Sequence, residues 1–144
     1  MFRWIRRAHL FVGLAGIATF LATGLYMDRL HGHLRGYDDT LRMLYRSTHI
    51  YLLLSAVINT VMGLYLRPAD STWRRAAQLL GSVALLAGPP LFLAGFCTEP
   101  YLSGLARPWS RPAIYLALGG AVFHLLAALP KRWPRDDAHE HEST

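Results

Sequence analysis

The sequence predicts an all-α integral membrane protein, a four-helix transmembrane bundle with both termini cytoplasmic. Three observations predict it. Apolar residues make up 53% of the 144 positions and charged residues only 17%, where a soluble domain carries about a quarter charged. The apolar residues fall into four blocks that contain no Asp, Glu, Lys or Arg. Basic residues and tryptophans collect between those blocks, as they do at membrane boundaries.

The first block covers 8–27, twenty residues. At 1.5 Å per residue that is roughly 30 Å, the thickness of the hydrocarbon core. Arg3, Arg6 and Arg7 before it would suit a signal peptide, but the run is long for one and no A-x-A site precedes Asp28, so it is read as a retained span. The second block is 47–66 and the third 76–96. Gly88-Pro89-Pro90 lies in the third, where two missing N–H donors predict a kink or local unwinding. The fourth block, 112–129, opens with Pro112, which suits a first helical turn. Backbone groups in lipid must pair internally, so each block is expected to be helical.

Residues 1–133 thus form one transmembrane domain, followed by a polar tail, 134–144, predicted to be disordered. The 28–46 connection, with Leu30, Leu34, Leu41 and Leu44 among charges, reads as a short amphipathic surface piece broken near Gly36. Nine Lys and Arg residues lie on the side of the termini and six on the other, which orients the termini inward. The location this implies is a bacterial-type inner membrane, multi-pass. The net charge of +6 comes without zinc-finger spacing, a phosphate loop or a long basic helix, so no nucleic-acid partner is expected. Cys97 is the lone cysteine and forms no intrachain disulfide.

The chain carries an internal echo. RRAH at 6–9 is matched by RSTH at 46–49, and TGLYM by MGLYL, with His9 fifteen residues before Gly24 and His49 fourteen before Gly63. Two alternative readings stand, a degenerate repeat or chance. Because successive spans reverse direction, His9 and His49 fall at opposite membrane faces and do not share a ligand.

His124 falls in the same leaflet as His9. Gly13 and Gly16 follow His9 on its face, and Gly120 precedes His124 by one turn. Small residues let helices admit a ring, and two imidazoles can hold a b-type haem. His9 and His124 are therefore the candidate haem ligands, with Arg6 and Arg7 near the propionates. The competing reading is that the glycines serve helix packing alone. His31, His33 and His49 form a second candidate set, for copper or zinc; the tail pair His139 and His141 has no scaffold. Asn59, with Ser55 one turn earlier, is read as inter-helix hydrogen bonding.

The four-span layout and an early histidine resemble small bacterial membrane haem proteins, including the family linked to protoporphyrinogen oxidation. The likeness covers topology and His9, and no activity is carried over. No nucleophile–base–orienter set appears, so side-chain catalysis is not expected, and a redox role would need a bound cofactor. The favoured function is a non-enzymatic subunit or scaffold of a membrane assembly, with a homo-oligomer or another membrane protein as partner. The alternatives are a bis-histidine haem carrier, exchanging electrons with a quinone, and a small-solute transporter shaped by the Gly88-Pro89-Pro90 break.

Overall fold

A computed structural model describes residues 2–102 and 104–129. It is a bundle of four helices: α1 (Phe2–Arg29), α2 (Asp39–Tyr65), α3 (Thr72–Thr98) and α4 (Ser110–Ala128). Each is long and apolar enough to cross a membrane. The predicted tail, with His139 and His141, lies outside the described residues.

The helices extend beyond the apolar blocks because flanking polar residues continue the turn. The largest departure is α2, which starts at Asp39 rather than near 47. Asp38 caps it by accepting the Leu41 N–H at 2.8 Å, which satisfies one free first-turn donor. The expected surface piece is thereby divided. Leu41 and Leu44 belong to α2, and only residues 30–38 connect the helices. In that connection Leu34 takes a left-handed backbone (φ 63) and inserts against Tyr45 and Phe96. A leucine rarely adopts this conformation, and burial of its side chain offsets the strain.

The architecture is two antiparallel hairpins, α1–α2 and α3–α4, joined chiefly through α2 and α3. α3 is the central strut: 44% of its apolar window is buried, against 17% for α4. Close approach depends on glycine. A Cβ on Gly63 would sit 2.6 Å from the Leu10 nitrogen, and one on Gly24 would sit 3.3 Å from the His49 ring. The echo segments therefore pack against each other at the two ends of the first hairpin, which puts His9 and His49 at opposite ends.

The connections are fastened by specific polar groups. Arg6 donates to the carbonyls of Gly63 and Leu64 at 3.2 and 2.8 Å, closing the α2 C-terminus. Gln78 braces the α2–α3 connection, accepting from Ala69 N–H and donating to the Arg67 carbonyl, both at 2.9 Å. Glu99 is wholly buried and accepts from the backbone N–H groups of Trp109 and Ser110 at 3.0 and 2.7 Å. Ser110 Oγ–H also donates to it at 2.6 Å. A carboxylate at a helix N-terminus is favoured by the free donors and the dipole, so Glu99 anchors α4. Trp4, Trp73 and Trp109 are exposed near helix ends.

Glycines 63 and 119 predict opposite behaviour. Gly63→Ala forces a methyl into the α1 backbone and should cost about 1–3 kcal/mol, whereas Gly119 has nothing within 4 Å of its Cβ position. Gly119→Ala should therefore leave unfolding in detergent unchanged or slightly delayed. Equal losses in the two variants would contradict this packing.

Candidate functional site

Of the kink or local unwinding predicted at Gly88-Pro89-Pro90, there is no unwinding: α3 is continuous through both prolines. Proline at 89 has no N–H, so the Leu85 carbonyl, four residues earlier, lacks its helical donor. The missing bond comes from α2: Asn59 Nδ2 donates to the Leu85 carbonyl at 3.0 Å and to the Ser55 carbonyl at 2.9 Å. Both amide hydrogens are thus committed. Turning the amide over would face its oxygen to two carbonyl oxygens, so the orientation is fixed by chemistry.

This orientation leaves Asn59 Oδ1 facing α1, where it lies 2.7 Å from His9 Nδ1. An amide oxygen only accepts, so His9 Nδ1–H is the donor. The remaining nitrogen of a neutral imidazole then carries a bare lone pair. His9 is wholly buried, and its Nε2 has no hydrogen-bond partner. A buried polar atom without a partner costs about 1–3 kcal/mol. Asn59 has all its polar atoms engaged, so within this linkage the unpaired atom is His9 Nε2.

α4 completes the layer. His124 Nε2 and Ser82 Oγ share a hydrogen bond of 3.3 Å, and Ser82 precedes Leu85 by three residues on α3. A Cβ on Gly81 would sit 2.8 Å from the Gly120 carbonyl and 2.9 Å from the His124 ring. Each helix thus contributes to one polar stratum: His9, Asn59, Ser82 and His124. Beside it a groove of about 430 Å³ is lined by His124, Arg67, Arg74 and Gln78, among others. Arg74 Nε is buried and unpartnered.

The other predicted site residues are distributed differently. Arg6 is engaged with the α2 carbonyls, and with Arg3 and Arg7 it borders a separate cavity of about 240 Å³. His31, His33 and His49 each meet a different group, and His31 Nε2 is buried without a partner. His31 is hydrogen-bonded to the Tyr37 hydroxyl, and His33 Nε2 faces Asp28 at 2.6 Å. His49 donates from Nδ1 to Thr23 Oγ at 3.0 Å, because Thr23 spends its own hydrogen on the Phe20 carbonyl. No group of three His, Cys, Asp or Glu side chains able to hold a metal ion occurs among the described residues. Sequence reading assigned Asn59 to helix adhesion and did not connect it to His9. The signal was present in Pro89, whose missing N–H demands an external donor.

The chain matches no family model, no curated protein and no solved structure.

The Pro89–Asn59–His9 linkage predicts energetic coupling. Asn59→Ala should destabilise the natural chain by about 1–3 kcal/mol. It should cost markedly less beside Pro89→Ala, which restores an N–H for Leu85. A double-mutant cycle on reversible unfolding reads the difference; additive effects would break the link. Nitrogen-15 spectra of the protein prepared without haem should show His9 protonated at Nδ1 and bare at Nε2.

Proposed function

We propose that this small multi-span membrane protein is an electron carrier holding a b-type haem between His9 and His124. The observation that carries the reading is the unpartnered, wholly buried His9 Nε2, with the ring oriented through Nδ1 by Asn59. Ligating histidines are held in this way, the far N–H donated to a fixed oxygen and the near nitrogen left free. His124 supplies a second imidazole in the same stratum, tied only by a 3.3 Å contact to Ser82.

The groove beside His124, at about 430 Å³, falls within the roughly 300–1,000 Å³ of cofactor pockets; His9 does not line it, so haem between the two histidines requires α1 and α4 to part at this level. Arg67 and Arg74 line the groove and provide the charge that propionates require. Arg6, by contrast, is held to the α2 carbonyls through Nε and Nη2 and, with Arg7, lines the separate cavity. Bound haem supplies reversible one-electron chemistry. The chain contributes Asn59 to set the His9 tautomer, Ser82 to steady His124, and close glycine contacts to exclude water. The excess of Lys and Arg on the side of the termini supports a cytoplasmic location for both, in a bacterial-type inner membrane.

A second reading, a non-enzymatic subunit of a membrane assembly, is favoured by α4. Little of that helix is buried, and Gly119 lies open beside the Gly120 that packs on α3. A small residue on an open face lets another helix approach closely.

Spectroscopy decides between them. After haem-replete expression, the purified protein should show a Soret band and, with dithionite, a sharp α-band. His9→Ala and His124→Ala should each abolish the ligated spectrum, and His49→Ala should preserve it. A colourless, iron-free preparation would sink the carrier reading. For the subunit reading, Gly119→Leu should dissociate a co-purifying partner or a homo-oligomer; an unchanged mass in native detergent would remove it.

A further inference from the structure

A second cavity, of about 350 Å³, lies at the other end of the bundle, where the α1–α2 and α3–α4 connections are. Thr23 and Tyr26 of α1, Tyr45 of α2, Phe96 and Cys97 of α3, and Tyr101 all line it. We infer that it binds the head ring of a lipid-soluble quinol or quinone. This inference stands apart from the haem reading. From Asn59 to Tyr45 is fourteen residues, about 21 Å along α2, so the two sites are separate.

Three properties define the ligand. The first is access. Ala22 on α1 and Cys97 on α3 border the cavity and are themselves exposed on the lipid-facing surface, so an occupant enters from the bilayer. The second is shape. The Tyr26 and Tyr45 rings meet Phe96 edge-on, with centroids 6.1 and 5.2 Å apart, giving aromatic walls suited to a flat ring.

The third is the hydrogen-bonding inventory. Thr23 gives its one hydrogen to the Phe20 carbonyl at 2.9 Å and receives His49 Nδ1–H at 3.0 Å. One lone pair of its hydroxyl is left to accept an O–H from the cavity. Tyr26, Tyr45 and Tyr101 all line the cavity, so three phenols border the space where a ring oxygen would accept. A hydrocarbon chain uses none of these groups. A quinol ring, with a hydroxyl at each end and an isoprenoid tail in the lipid, uses them all; a quinone ring, an acceptor only, uses the phenols and leaves the Thr23 lone pair unused.

The test is photolabelling of the full chain in lipid nanodiscs with an azido-ubiquinone, in competition with unlabelled short-tailed ubiquinol. Labelling should saturate, be displaced, and map to peptides containing Cys97 or Tyr101. Thr23→Val and Tyr45→Phe should each weaken competition about tenfold, and Thr23→Ser should retain it. Ala22→Trp, which fills the cavity from an exposed position, should abolish specific labelling while leaving the helical circular dichroism intact. Labelling that rises linearly with probe and resists competition, or persists in Ala22→Trp, overturns the proposal and leaves the cavity to lipid acyl chains. His9→Ala and His124→Ala should label normally, so failure here and failure of the haem reading are distinguishable.

Discussion

The polar layer depends on one missing hydrogen. Proline at 89 cannot donate, and within a membrane no water replaces the donor. The Leu85 carbonyl must therefore be satisfied from another helix, and Asn59 does it. Once that bond forms, the amide can face only one way. Its oxygen then dictates the His9 tautomer, and the tautomer leaves Nε2 bare. A local defect in α3 thus becomes a chemical property of α1, transmitted through two side chains whose roles follow from donor and acceptor counting alone.

The same economy governs the packing. In lipid there is no hydrophobic force between helices, so van der Waals contact and satisfied polar groups hold the bundle. Glycines supply the contact: Gly63 against the Leu10 backbone, Gly81 against Gly120, and Gly88 against Ser55 Oγ. The polar groups are then spent on carbonyls and amides that helix ends and prolines leave free. Arg6, Gln78 and Glu99 each close such a group. Glu99 is instructive, because its buried charge works as the anchor of α4 rather than as a reactive carboxylate.

The fold was legible because lipid imposes length and composition on each span, and the four apolar blocks carry both. The helix ends were less so: α2 begins at Asp39 because Asp38 caps it and Leu44 and Tyr45 find buried partners, contacts that no hydropathy pattern records. Of the site, His9 and His124 could be assigned to one leaflet from span direction. The parts that give His9 its free nitrogen were hidden, since Asn59 is separated from it by fifty residues and Leu85 contributes a carbonyl that has no sequence signature. The surroundings of His31, His33 and His49 were hidden for a related reason. Their proximity in sequence says nothing about Tyr37, Asp28 and Thr23, the groups each one meets.

The echo between α1 and α2 shows how one residue can divide similar scaffolds. Gly24 lies against His49, and Gly63 lies beside His9 on the Leu10 backbone. Four residues before Gly63 stands Asn59, which hydrogen-bonds His9; four before Gly24 stands Phe20, which stacks on His49 at 4.0 Å. The two positions correspond when the echo segments are aligned on their glycines. An amide at one end orients a buried histidine within a polar stratum, whereas a phenyl ring at the other directs its histidine to Thr23 and the aromatic cavity. Both histidines donate from Nδ1, yet only His9 is sealed beside a second imidazole. The geometry the two ends share comes from the glycines, and the chemistry that separates them comes from the residue one turn before each.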